Sequence, residues 1–186
     1  QWKREFARFS KIPEDKILVL TGTGAKRVKE LAAQMAKGGE FIVVTNYEGV
    51  QIKAFYELLL KWSPKITILD EAHRVKDSSS VRAQKIQTLC IAAARRFVLT
   101  GTPFLNSMLD IYGIYKCFRP DIFGPSYWQF KTRFFYDRNA GMPAHVHFPD
   151  WQPKPEAAKV IAQIISDTSS QAKKSECLDL PPLVKV

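Results

Sequence analysis

Two adjacent carboxylates, those of Asp70 and Glu71, follow an apolar segment near the middle of the chain, and His73 stands two residues beyond them. The segment, residues 66–69 (Ile-Thr-Ile-Leu), is typical of a buried strand. In open α/β sheets, ligands bind beyond the carboxyl ends of the strands. One carboxylate there can hold Mg²⁺ through a water molecule, while the other deprotonates the water that attacks a γ-phosphate. The plain alternative is a pair of solvated acids at a strand end, because short motifs often match by chance.

A second polar turn follows another apolar run. Residues 97–99 (Phe-Val-Leu) lead directly into residues 100–103 (Thr-Gly-Thr-Pro). Because the carboxyl ends of parallel strands meet at one edge of a sheet, this turn is expected beside the two carboxylates. Gly101 permits a close backbone approach, and the threonine hydroxyls can hydrogen-bond His73 and groups across a cleft. Two polar turns at one edge therefore predict a single site.

The elements that must position these turns alternate along the chain. Short apolar runs predict strands, and the segments between them carry helical periodicity. The predicted strands span residues 17–20, 41–44, 66–69 and 97–99, and the predicted helices span residues 25–37, 47–62 and 80–94. The apolar runs are continuous, which predicts strands that are buried on both faces. Alternating strands and helices predict an α/β fold with a parallel sheet flanked by helices.

The last third of the chain has a different character. A helix is predicted over residues 105–118 and a short one over 156–165, with an aromatic-rich stretch at 127–136 and a proline-rich loop between them. Aromatic side chains dominate packed cores, so the stretch around Trp128 predicts the core of a small helical insertion near the C-terminal end. A stacking surface for nucleic-acid bases is the alternative.

Composition limits the class of protein. Hydrophobic residues make up 46% of the 186, which is enough for a sizeable core and argues against intrinsic disorder. Lys and Arg number 28 against 18 Asp and Glu, and the formal charge of +10 favours a polyanionic partner such as nucleic acid. No apolar run approaches the roughly 18 residues of a membrane span, so no membrane partner is expected. Cys90, Cys117 and Cys177 are far apart and read as reduced thiols.

The two motifs together resemble a known family. Residues 70–76 (Asp-Glu-Ala-His-Arg-Val-Lys) and 99–103 (Leu-Thr-Gly-Thr-Pro), with Asn106, are similar to the first motor lobe of Snf2-like superfamily 2 DEAH-box helicases and ATPases. The resemblance extends over nearly the whole chain. Further segments that are similar to the family are residues 2–6 with Phe9 (W-x-x-E-F), 43–48, 119–124 and 177–181.

The resemblance implies a RecA-like P-loop NTPase lobe with assigned residues. It implies that Asp70 positions Mg²⁺ through water, that Glu71 activates the hydrolytic water, and that His73 links the nucleotide site to the second turn. The coupling loop it implies consists of Thr100, Gly101, Thr102, Pro103 and Asn106. The residues it implies at the DNA phosphates are Thr45, Asn46 and Tyr47.

The implied function is that of a DNA-dependent ATPase, a double-stranded DNA translocase that couples ATP hydrolysis to movement on DNA. ATP and Mg²⁺ are the implied cofactors, and the implied partners are double-stranded DNA and a second motor lobe of the same polypeptide. The expected organisation is a motor lobe over residues 1–118, a helical and aromatic insertion over 119–170, and the end of the lobe over 171–186. The expected location is cytoplasmic, associated with the nucleoid of a bacterium or phage-infected cell, or nuclear in a eukaryote.

One family element does not occur in the sequence. The phosphate-binding loop, G-x-x-x-x-G-K-S/T, is expected before Trp2, and residues 22–27 (Gly-Thr-Gly-Ala-Lys-Arg) lack its Gly-Lys-Ser/Thr. Gln171 also stands where an arginine is expected. We therefore expect the chain to be a fragment, truncated at both ends, that hydrolyses no ATP by itself. The alternatives are a catalytically dead DNA- or protein-binding module and an RNA helicase fragment, the latter disfavoured by residues 100–103.

Overall fold

The computed structural model describes residues 2–101, 107–143 and 145–171. Its helices are α1 (Trp2–Phe9), α2 (Gly24–Lys37), α3 (Lys53–Trp62), α4 (Val81–Ala92), α5 (Ile111–Phe118), α6 (Pro120–Phe123), α7 (Tyr127–Phe134) and α8 (Pro155–Thr168). Its strands are β1 (Ile17–Leu20), β2 (Ile42–Thr45), β3 (Ile66–Leu69), β4 (Arg95–Val98), β5 (Phe135–Asp137) and β6 (Trp151–Pro153). Short 3₁₀ turns cover Glu14–Lys16, Tyr47–Gln51, Ala72–Val75 and Met108–Asp110. In the described part of the chain, no helix is long and apolar enough to cross a membrane.

The strands pair in twos. β1 and β2 are parallel, with Ile17 opposite Ile42, and β3 and β4 are parallel, with Leu69 opposite Val98. β5 and β6 form an antiparallel pair. The predicted mixture of helices and parallel strands is thus confirmed. Among the described residues, however, the strands form separate two-stranded sheets instead of one continuous sheet.

Local signals explain where the helices begin and end. The Thr23 hydroxyl accepts a hydrogen bond from the Lys26 amide at the start of α2, and Gly38 ends that helix with φ of 70°. The Ser80 hydroxyl caps α4 in the same way, at the Ala83 amide. Side-chain oxygens at the N-cap satisfy amides that have no partner within the helix, and glycine adopts positive φ without strain.

Two predicted helices differ from the observed ones. The helix predicted over residues 47–62 is divided, because the backbone at Ile52 is extended between the 3₁₀ turn Tyr47–Gln51 and α3. Of the segment predicted as a helix over 105–118, the described residues form the 3₁₀ turn Met108–Asp110 followed by α5. The expected positions of Thr102, Pro103 and Asn106 lie outside the described residues.

The prediction that the strands are buried on both faces is wrong for β3 and β4. Exposed fractions are high for alternate side chains along this pair: Ile66 51%, Ile68 49%, Phe97 51% and Leu99 43%. α5 packs against β4, and the residues between the exposed ones are partly buried. A continuous apolar run shows that both faces are apolar but does not show which face a helix covers.

The main core lies between the first β pair and the helices. Its buried residues come from β1, α2, α3, α4 and α5 and from the turns between them: Leu20, Leu31, Val50, Phe55, Leu59, Val75, Ala83, Ile86, Leu89, Cys90 and Cys117. Cys90 and Cys117 lie in this core as free thiols. Small apolar side chains of this kind are commonly buried.

A second cluster is aromatic. Ring centroids lie 4.9–5.1 Å apart in the pairs Tyr112–Phe130, Tyr115–Phe123 and Phe123–Phe130. Such distances are typical of packed rings. Of these four residues, Phe130 belongs to the aromatic stretch 127–136, and it is buried as the core prediction requires. Trp128 is 62% exposed and does not belong to this core.

The described residues form two compact units, one that ends at Phe130 and one that begins at Lys131. In the second unit, the Asp137 carboxylate accepts hydrogen bonds from the Asn139 and Asp150 amides, at 3.0 and 2.8 Å. These bonds hold the ends of the loop between β5 and β6 together. The predicted domain limits at residues 118 and 170 stay a prediction.

Candidate functional site

The turn after β3 has an unusual backbone. Glu71 has φ of 52° and ψ of 50°, in the left-handed region that side-chain-bearing residues rarely occupy. Its amide donates a 3.0 Å hydrogen bond to Oδ1 of Asp70, and the 3₁₀ turn Ala72–Val75 follows directly. A residue held in this conformation costs about 1–3 kcal/mol, and such strain clusters at functional sites.

The side chains of Glu71 and His73 in this turn are close together. The Asp70 and Glu71 carboxylates are exposed, and Nδ1 of His73 lies 3.2 Å from Oε2 of Glu71. Oδ2 of Asp70 accepts a 3.0 Å hydrogen bond from the indole of Trp2. Each carboxylate oxygen retains further lone pairs for a ligand. The turn therefore offers oxygen ligands and a base in one exposed place.

The second polar turn joins the first through the backbone. The Leu99 amide donates to the Leu69 carbonyl at 2.8 Å, and the Ala72 amide donates to the Leu99 carbonyl at 3.0 Å. The first two residues of the predicted coupling loop, Thr100 and Gly101, therefore lie at the same strand ends as the carboxylates. This juxtaposition was predicted from the parallel order of the strands, and the structure places both turns there.

The end of β2 carries Thr45 and Asn46, which sequence reasoning assigned to DNA. Both are held by a buried arginine that sequence reasoning missed. Nη1 of Arg27 donates to Oγ1 of Thr45 at 2.7 Å, to Oδ1 of Asn46 at 2.9 Å and to the Leu20 carbonyl at 2.9 Å, and Nε donates to the Gly22 carbonyl at 3.0 Å. A buried cation is stable when its donors are satisfied in this way.

Arg27 could have been noticed from the sequence. It precedes Leu31 by four residues, so both lie on the buried face of α2, where an arginine is unusual. Gly49 leaves room for the Arg27 guanidinium, because a Cβ atom at this position would lie 2.6 Å from Nη1 of Arg27 and 2.9 Å from Oγ1 of Thr45. The guanidinium and the glycine therefore fix the end of β2 together.

The three predicted DNA residues are not equivalent in the structure. Oγ1 of Thr45 bonds both Arg27 and, at 3.3 Å, the Leu20 carbonyl. Asn46 is exposed, and because its Oδ1 accepts from Arg27, its Nδ2 amide is the group that can donate to a phosphate. Their contact with DNA stays a prediction, which Asn46 fits best.

Tyr47 points toward the turn after β3 that carries Asp70 and Glu71, here named the carboxylate turn. Its hydroxyl donates a 2.7 Å hydrogen bond to the main-chain carbonyl of Asp70. Burial raises the pKa of Tyr47 above its ordinary value, so the hydroxyl keeps its proton at neutral pH. One residue further along, Oε1 of Glu48 lies 3.2 Å from Nη1 of Arg74. The 3₁₀ turn after β2 is thus linked to the turn after β3 at two points.

Helix α5 packs against the 3₁₀ turn Ala72–Val75, which follows the carboxylate turn. A Cβ atom on Gly113 would lie 2.2 Å from the Lys76 carbonyl oxygen and 2.5 Å from that of Val75. Lys76 also pairs with Asp110 at 3.1 Å. The glycine lets the helix backbone touch the end of the 3₁₀ turn Ala72–Val75. The sequence analysis missed this close approach, which a glycine inside a helical pattern could have indicated.

Comparison with known proteins finds several that are similar in sequence to this chain. A Danio rerio protein, Chromodomain-helicase-DNA-binding protein 1-like, is 32% identical over 125 residues, which are 67% of this chain and 12% of that protein. The ISWI chromatin-remodeling complex ATPase ISW2 of Saccharomyces cerevisiae is 30% identical over 125 residues, 67% of this chain and 11% of that protein. The chromatin-remodeling ATPase INO80 of Debaryomyces hansenii is 33% identical over 130 residues, 66% and 9% of the two chains.

This chain spans about a tenth of the length of these curated relatives. The SNF2-related domain family, in contrast, matches residues 1–184, nearly the whole sequence. The resemblance to Snf2-type ATPases that the two motifs indicated is thereby confirmed. The chain belongs to the SNF2-related domain family.

Proposed function

We propose that this chain is part of a Snf2-like DNA-dependent ATPase, a motor that couples ATP hydrolysis to movement along double-stranded DNA. The observation that carries the proposal is the pair of backbone hydrogen bonds that joins the Asp70–Glu71 turn to the turn after β4. In this proposal the two β pairs belong to one RecA-like lobe. The names of the relatives, which include chromatin-remodeling ATPases, favour the same function.

The carboxylate turn suits the proposed chemistry. Mg²⁺ binds one or two carboxylates and keeps several waters, so the exposed Asp70 carboxylate fits it through water. When bound, Mg²⁺ would neutralise charge on the phosphates. Glu71 would take the proton of the attacking water, and His73, beside Glu71, would link the site to the loop of Thr100 and Gly101.

The intact protein, in this proposal, joins the chain to a phosphate-binding loop and a second motor lobe. The sequence holds no G-x-x-x-x-G-K-S/T, and Arg27, within the glycine-containing segment 22–27, is committed to the end of β2. The second candidate is a catalytically dead DNA- or protein-binding module, and a G-x-x-x-x-G-K-S/T loop encoded upstream of Gln1 would decide between the two. The relatives quoted above are eukaryotic, so we propose a nuclear location; they lend no support to a bacterial or phage-infected cell.

The 186-residue chain alone should not hydrolyse ATP, because its sequence holds no G-x-x-x-x-G-K-S/T loop to cradle the β- and γ-phosphates. Mg-ATP should also leave its melting temperature unchanged. A ligand at 100 times its Kd stabilises by about 2.7 kcal/mol, or roughly 5–11 °C for a chain of this size. Calorimetry with and without Mg-ATP makes the measurement. A Glu71→Gln sample is the control for contaminating ATPases. Residual hydrolysis of equal rate in the wild-type and Glu71→Gln samples comes from a contaminant. Hydrolysis that is present in the wild-type chain and lost in Glu71→Gln would contradict the expectation.

Binding of the chain to duplex DNA should be electrostatic and indifferent to sequence, because phosphate contacts position a protein without reading bases. With a charge of +10, the Kd should be on the order of 10⁻⁴–10⁻⁶ M at physiological salt. Log K should fall by about 0.9 per log unit of salt for each neutralised phosphate. Fluorescence anisotropy on several unrelated duplexes, at three salt concentrations, measures both.

Two substitutions of Asn46 sharpen this test. Asn46→Asp keeps the oxygen that accepts from Arg27 but replaces the amide donor with a charge that repels phosphate. Asn46→Ala should weaken binding roughly 2- to 10-fold on every duplex, and Asn46→Asp should weaken it more. Gln163→Ala, which removes an exposed amide in α8, is the control. Tight, salt-insensitive binding to one duplex, or preference for double-stranded RNA, would contradict the proposed function.

A further inference from the structure

We propose that Tyr47 is a positioning residue that fixes the peptide between Asp70 and Glu71 and so couples the DNA-facing end of β2 to the general base. The inference rests on the proposed ATPase function. The family resemblance implied a direct phosphate contact for Tyr47, and the geometry assigns its hydroxyl to the protein instead, 2.7 Å from the Asp70 carbonyl oxygen.

The peptide between Asp70 and Glu71 is held on both sides. Its carbonyl accepts from the Tyr47 hydroxyl, and its N–H donates to Oδ1 of Asp70 at 3.0 Å. This peptide precedes the left-handed Glu71, with φ of 52°. A flip of the peptide would let Glu71 relax to an ordinary conformation, and its carboxylate would then point elsewhere. The Tyr47 hydroxyl opposes that flip.

The hydroxyl is suited to this task. Tyr47 is half-buried at the start of the 3₁₀ turn Tyr47–Gln51, and burial raises its pKa, so it remains a donor at every pH at which such a protein works. A fixed donor on a short turn holds a peptide better than a mobile side chain does. Loss of the hydroxyl would leave the Asp70 carbonyl to water.

The other end of the link is the segment that faces DNA. Arg27 ties Thr45 and Asn46 to β1, and Asn46 immediately precedes Tyr47. A phosphate that binds Asn46 therefore acts on a turn whose first side chain holds the Glu71 backbone. The Glu48–Arg74 pair runs beside this contact. This contiguous set of contacts supports the hypothesis that the end of β2 is coupled to Glu71, and a measured coupling energy tests that hypothesis.

The test is Tyr47→Phe in the intact protein, which removes the hydroxyl and keeps the ring. We expect kcat at saturating DNA to fall roughly 3- to 10-fold, the value of one hydrogen bond, with KM for ATP and Kd for DNA within about twofold of wild type. Tyr56→Phe is the matched control, on a ring in α3 that lies under the Lys85 ammonium, and should leave all three constants unchanged.

A double-mutant cycle separates positioning from general loss of structure. If Tyr47 acts through Glu71, Tyr47→Phe should change kcat by less than about twofold in the Glu71→Gln background. An undiminished effect there would overturn the inference. So would a variant that binds DNA more weakly but keeps full kcat at saturation, because Tyr47 would then be a DNA contact within a valid ATPase. A wild-type protein whose ATPase does not respond to DNA would overturn the proposed function and this inference with it.

Discussion

Replacing Glu71 by glutamine in the intact protein should lower kcat for ATP hydrolysis about 10²–10⁴-fold. The amide keeps the shape of the side chain and its place beside His73, but it cannot accept a proton from water. Nucleotide affinity should be retained, because the proposed phosphate loop is untouched. Steady-state phosphate release and fluorescent-nucleotide titration measure the two quantities side by side.

The control is Glu57→Gln, which makes the same chemical change on the exposed face of α3 and should be neutral. The neighbouring Asp70→Asn should act differently, by shifting the dependence of the rate on Mg²⁺ concentration to higher values. Near-full turnover by Glu71→Gln would mean that another group is the base. Equal losses in both glutamate variants would point to an effect of charge alone.

Gly113→Ala should have the largest effect on stability. The new methyl group would lie 2.2 Å from one backbone carbonyl oxygen and 2.5 Å from another, and backbone cannot move aside as a flexible side chain can. Overpacking costs about 1–3 kcal/mol, which corresponds to a melting temperature roughly 2–12 °C lower for a chain of this size. Thermal melting of the 186-residue chain, followed by circular dichroism, makes the measurement.

The direction in which Gly113→Ala shifts the melting temperature is informative. Helix propensity alone favours alanine over glycine by about 1 kcal/mol, so without the close contact the substitution would stabilise α5. Gly141→Ala is the control, because among the described residues no heavy atom beyond the chain neighbours lies within 4 Å of the added methyl, and the backbone φ there is not positive. A melting temperature for Gly113→Ala equal to or above that of wild type would show that α5 does not press on the turn.

The sequence predicted the part of the site that follows from chain order. Asp70 and Thr100 each follow an apolar strand, and parallel strands bring their carboxyl ends to one edge, so their proximity needed no coordinates. The spacing from Leu31 could have placed Arg27 on the buried face of α2. Its bonds to Thr45 and Asn46, like the Tyr47–Asp70 bond, depend on distances between elements that no local pattern encodes.

The burial of the strands is another property that local sequence did not predict. The apolar runs at β3 and β4 correctly predicted strands, within two residues of their observed bounds. They did not predict that Ile68 and Phe97 would be about half exposed, since coverage depends on which elements pack on each face. Local sequence thus determined the elements, whereas packing determined their surroundings.

The water-facing side chains of β3 and β4 have a practical consequence for solution work. Raising the ionic strength promotes the association of this chain with itself in two ways. Salt screens the mutual repulsion of molecules that each carry a charge of +10. Salting-out anions such as sulfate also strengthen the association of apolar surfaces. Colloidal clustering should therefore increase in the conditions that release DNA, and light scattering beside the anisotropy signal would distinguish released duplex from protein that has clustered.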